Sequence, residues 1–204
     1  MEKTPLAVRL GEFVAALSFQ DLPPAIVDKG KALVNHALTV GLAGSQAERS
    51  QAARRAVLEN ERLGVRRVGV GQGATLWVDG SRVTRPGAAF ASAVAVAVNN
   101  QCDSYRMLTH PGVLIVPAGL ATAEGQGRAG RDLLTALIAG YEVQCRCARD
   151  FIPSTPAHGF RASLVYGILG CAATTAKLLG LDARGIGNAI ALAASFAGSL
   201  IEGQ

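Results

Sequence analysis

Asn100, Asp103, Ser104 and His110 occur close together, in Asn99-Asn100-Gln101-Cys102-Asp103-Ser104 and Thr109-His110-Pro111-Gly112. An imidazole near a carboxylate, an amide and a hydroxyl has the parts for general acid/base chemistry: neutral histidine accepts a proton while its neighbours orient it or hydrogen-bond a substrate. Pro111 suits the first position of a helix, because its ring already holds a helical φ and its missing N–H would have had no partner there. His110 then sits at or beside the N-cap, where the positive end of the helix dipole disfavours an imidazolium. A plain capping role fits the same position, and spacing alone supports either.

A second group of polar residues opens with His158-Gly159-Phe160-Arg161. Arg161 at the head of a helix joins a guanidinium to backbone N–H groups without intrahelical partners, a receptor for a carboxylate or phosphate. An ordinary ion pair is the other reading of Arg161, and His158 reads as a solvated loop residue. The four cysteines, Cys102, Cys145, Cys147 and Cys171, contain no C-x-x-C pair and read as free thiols. Cys145 and Cys147 point to nearly opposite sides of a helix, so with His158 they make a poor zinc site. No metal and no cofactor is expected. Gly69, Gly71 and Ala74 match G-x-G-x-x-A, but Leu76-Trp77-Val78-Asp79-Gly80 reads as strand and turn where a dinucleotide loop needs a helix.

The elements that carry these residues are mainly helical. Half of the 204 residues are hydrophobic but only 5% are aromatic, and small apolar side chains favour closely packed helices. Apolar periodicity predicts helices over 6–17 and 25–40, a charged, exposed helix follows over 46–63, and past Pro86 the chain reads as helical over 88–98, 111–124, 130–149, 161–179 and 183–200, with a small β-hairpin region near 66–84. The expected fold is a mainly all-α helical bundle, a single domain over 1–204. The stretch from Ile186 to Leu200 is apolar or small on almost every side, so it expects cover from a further C-terminal part, a second copy or another subunit. The net charge of +5 is dispersed. Arg54-Arg55 and Arg66-Arg67 lack interleaved aromatics, which argues against a nucleic-acid partner. No apolar run reaches bilayer length and the first residues carry no secretory pattern, so a cytoplasmic protein with no membrane partner is expected.

Ordered landmarks along the chain go further. Ala88-Ala89-Phe90-Ala91, Asp103-Ser104, Thr109-His110-Pro111-Gly112, Val116-Pro117-Ala118, Gly140-Tyr141-Glu142-Val143, Gly159-Phe160 and Ala176-Lys177-Leu178-Leu179-Gly180-Leu181-Asp182 resemble the MmgE/PrpD family over essentially the whole sequence. The resemblance implies a metal-independent lyase or isomerase acting on small polycarboxylates by proton transfer beside a carboxylate. It implies a helical domain paired with a smaller lid, the active site between them, and dimerisation through the helical domain. This chain resembles only the first part of that helical domain, so a homodimer, a complementary C-terminal subunit or both are expected to complete it.

Departures from the family pattern are specific. Where the family reads Asp-Phe-Asp-Asp-Thr, this chain has Asn100-Gln101-Cys102-Asp103-Ser104, and where it reads Gly-Phe-His, Arg161 stands in place of the histidine. The resemblance therefore implies His110, Ser104 and Asp103 as catalytic residues, with Asn100 and Arg161 binding substrate. The contrasting expectation is a non-catalytic scaffold, a truncated or degenerate paralogue with these groups idle.

Overall fold

A computed structural model describes residues 4–61 and 73–201. Among them are nine α-helices: α1 (Leu6–Ala16), α2 (Pro24–Gly44), α3 (Glu48–Glu61), α4 (Arg85–Ala97), α5 (Pro111–Gln126), α6 (Gly130–Ala148), α7 (Ser154–Ala157), α8 (Ala162–Leu178) and α9 (Ala183–Ser195). Two short strands, β1 (Ala74–Thr75) and β2 (Arg82–Val83), pair antiparallel with Ala74 opposite Val83. The mainly α-helical architecture is the expected one. The hairpin region is confirmed over 74–83, while Val68 and Val70 lie outside the described residues.

α5 is the central helix. Its buried residues, including Gly112, Ile115, Val116, Gly119, Thr122 and Gly125, face several directions, and α2, α4, α6 and α8 all pack against it. A helix apolar all round belongs inside a core, and α5 fills that place. Glycine and alanine let its neighbours approach. A Cβ on Gly119 would lie 2.6 Å from the Leu137 side chain of α6, and where α6 meets α8 one on Gly140 would lie 2.0 Å from Thr174 Oγ1. Thr84 caps α4 by accepting from Gly87 N at 3.2 Å, and Asp182 caps α9 by accepting from Gly185 N at 2.7 Å.

The C-terminal end corrects the expected helix over 183–200. α9 stops at Ser195, a turn follows at Phe196, and the backbone of 199–201 then lies against the residues that precede α8. Leu200 bridges Phe160, Arg161 N donates to Ser199 O at 2.9 Å, and Ile201 N donates to Gly159 O at 2.9 Å. These bonds give the backbone a partner outside the helix, and Gly198 makes leaving the helix inexpensive. α9 itself buries only Ile186, Gly187 and Ile190, so Leu192 and Phe196, 64% and 72% exposed, stand uncovered.

Candidate active site

The chain from α4 to α5 is shaped by backbone that few residues adopt. Asn100 (φ 53°), Arg106 (φ 50°) and Met107 (φ 67°) are left-handed. Asparagine tolerates that region better than most side chains, and Asn100 ends the helical path of α4 there. The loop then closes on itself, since Tyr105 N donates to Thr109 O at 2.7 Å and Thr109 N to Tyr105 O at 3.3 Å. From α2, His36 Nε2 donates to Gln101 O at 2.9 Å and ties down the middle of the loop.

His110 is the N-cap residue of α5, as the sequence predicts, but its side chain makes no capping bond. Instead its Nδ1 lies 2.9 Å from Asp103 O, and its backbone N–H donates to Ser163 Oγ at 3.2 Å. The capping task falls to Asp103. Its Oδ1 accepts from Gly112 N at 2.9 Å, placing a carboxylate at the positive end of α5, and its Oδ2 accepts from Tyr141 of α6 at 2.8 Å. Gly112 is required by this geometry, because a Cβ there would lie 2.6 Å from Asp103 Oδ1 and 2.7 Å from the Tyr141 hydroxyl.

His110, Asn100 and Arg161 line one cavity of about 350 Å³ between α4, α5 and α8, together with Cys102, Ser163 and the apolar Phe90, Val94, Val113, Leu114 and Leu164. Residues remote in sequence are thus brought together: Asn100 follows α4, His110 starts α5 and Arg161 is the N-cap residue of α8. The Arg161 guanidinium forms no ion pair among the described residues, in contrast to the paired Arg54, Arg82, Arg146 and Arg149. Burial raises the Cys102 thiol above its ordinary value, Asp103 adds to the rise and Arg161 opposes it, so Cys102 is held as a thiol.

Ser104 is exposed and outside the cavity wall, and Asp103 lies behind His110 with both oxygens engaged. His158 is an exposed residue that donates to Ser154 O at 2.7 Å and does not reach the cavity. All four cysteines are free, and among the described residues no three His, Cys, Asp or Glu side chains converge as metal ligands. No described helix is long and apolar enough to cross a membrane. Sequence reasoning missed Tyr141 and Ser163 as partners of the site. Tyr141 lies 38 residues from Asp103 and Ser163 lies 53 from His110, separations that no local pattern signals.

Fold and cavity define a class: a mainly helical domain in which an imidazole and a guanidinium meet at the head of a buried central helix. The family model of the MmgE/PrpD N-terminal domain matches residues 8–204, and the chain belongs to that family. Human cis-aconitate decarboxylase is 36% identical over 122 residues, 55% of this chain and 24% of that protein. The cis-aconitate decarboxylase-like protein oryM of Aspergillus oryzae is 27% identical over 216 residues, covering 98% of this chain and 42% of its own length. Cis-aconitate decarboxylase of Aspergillus terreus is 25% identical over 210 residues, covering 99% and 41%. The chain spans less than half the length of each of these relatives.

Proposed function

We propose that this domain belongs to a lyase or isomerase that moves a proton beside a carboxylate of a small substrate. The observation that carries this reading is the convergence on one cavity of His110, Asn100 and Arg161, whose guanidinium has no ion-pair partner among the described residues. His110 is the acid/base group, Arg161 holds a carboxylate and Asn100 hydrogen-bonds the substrate. Removing a proton from the carbon next to a carboxylate drives negative charge onto the carboxylate oxygens, and a fixed guanidinium beside them lowers the energy of that charge. Asp103 holds the head of α5. Ser104, exposed at the loop surface, is left without a role in proton transfer.

The names of the relatives support a lyase acting on a small carboxylate, and their greater length supports completion of the site by further polypeptide, in this chain's own continuation or in another subunit. The exposed Leu192, Phe196 and Leu200 offer apolar surface for such cover. The test is turnover of a panel of di- and tricarboxylates, cis-aconitate and 2-methylcitrate included, by the completed protein and its His110→Ala variant. Turnover lost in the variant supports the reading. No turnover in any assembly, or full turnover without His110, replaces it with the scaffold reading.

A further inference from the structure

A carbonyl oxygen only accepts hydrogen bonds, so the contact between His110 Nδ1 and Asp103 O requires the proton on Nδ1. In the neutral ring this leaves the lone pair on Nε2, which has no partner among the described residues. The accepting carbonyl belongs to the residue whose carboxylate is held at both oxygens, by Gly112 N and by Tyr141. We propose that Tyr141 is a positioning residue that, through Asp103, fixes the tautomer and direction of the His110 imidazole. This rests on the acid/base reading of His110 and names how the ring is made ready to accept a proton at Nε2.

The geometry makes Tyr141 suited to the task. α6 packs against α5, so its side chain is carried on a rigid element and not on the loop that it restrains. Burial, and next the charge of Asp103, raise the Tyr141 hydroxyl well above its ordinary range, so it stays a donor at any working pH. The loop needs an external anchor because Asn100, Arg106 and Met107 hold left-handed backbone that relaxes when unsupported. Ser163 steadies the other side, accepting from His110 N at 3.2 Å and donating to Leu108 O at 3.3 Å.

The test is long-range proton–nitrogen NMR of the imidazoles in the ¹⁵N-labelled full chain, above the pH at which the rings become neutral. The expected wild-type result is a single His110 tautomer with the proton on Nδ1. Tyr141→Phe, which keeps the ring and removes only the hydroxyl, shifts His110 to a mixture of tautomers and leaves His158, which bonds Ser154 O away from this loop, unchanged. Tyr166→Phe, which removes a hydroxyl bonded to Thr155, leaves His110 as in wild type. In an active assembly Tyr141→Phe lowers kcat by roughly 10- to 100-fold with little change in KM, the cost of a misaligned group. An unaltered single tautomer in folded Tyr141→Phe overturns the proposal. So does a wild-type His110 protonated on Nε2, a result that needs no variant to fold. Full turnover in His110→Ala removes the acid/base reading while the tautomer result stands by itself.

Discussion

Tyr141 donates to Asp103 at 2.8 Å while the same carboxylate takes the Gly112 amide at 2.9 Å, so one side chain joins α6 to the first turn of α5. Asp103 thereby replaces His110 as the cap of that helix. The imidazole is spared from capping and lines the cavity wall.

That pairing gives the fold an alkaline limit. The folded Tyr141 hydroxyl is raised above its ordinary value of 10.0, chiefly by burial and next by Asp103. A raised pKa contributes stability that is complete below the unfolded value and is lost as pH rises beyond it. Above about pH 10 the wild-type advantage over Tyr141→Phe should shrink by up to ~1.4 kcal/mol per pH unit, the linkage slope for one proton. Urea unfolding of both proteins at a series of alkaline pH values measures it, and a constant difference across the series contradicts it.

His110→Ala should separate stability from activity. The lost bond to Asp103 O is worth about 0.5–1.5 kcal/mol, whereas loss of general acid/base help costs roughly 10²- to 10⁴-fold in rate. Thermal unfolding and turnover, measured on one preparation of the assembly proposed above, give the two numbers side by side.

Arg161→Ala should weaken binding of di- and tricarboxylates by about 1.5–3 kcal/mol, the scale of a hydrogen bond to a charged group. Arg161→His should recover little of that affinity at neutral pH, since it replaces a permanent charge with a titrating one. Calorimetric titration with citrate reads both, and unchanged affinity in Arg161→Ala reassigns the guanidinium to structure.

Gly11→Ala tests the packing of α1 on α9. A Cβ at Gly11 would lie 2.2 Å from Ala183 O and 2.7 Å from Gly187 N, backbone atoms that cannot rotate away. The gain in helix propensity, about 1 kcal/mol, should be outweighed by separation of the two helices. A net loss of roughly 1–3 kcal/mol is expected. Denaturant midpoints with an unchanged slope would show it, and a stabilised variant would show that the crossing has slack.

Local chemistry made much of this protein legible from its sequence. Pro111 marks the start of α5, apolar spacing marks α1 and α2, and Asp79-Gly80 marks the hairpin turn, because propensity, capping and periodicity act over a few residues. The last helix ends earlier than its sequence predicts for the complementary reason. Phe196 to Leu200 continues the small and apolar pattern of the helix before it, yet Gly159, Phe160 and Arg161, distant in sequence, offer its backbone a different partner. The site divides in the same way. His110, Asn100 and Arg161 could be singled out by residue type, but that they share a cavity and that Ser104 stays outside it depend on how α4, α5 and α8 pack. Sequence spoke for what each residue can do within a turn or two of itself. Only the tertiary structure decided that Asp103 is held by Tyr141, because a contact across 38 residues is set by the meeting of two helices and leaves no periodic trace in the chain.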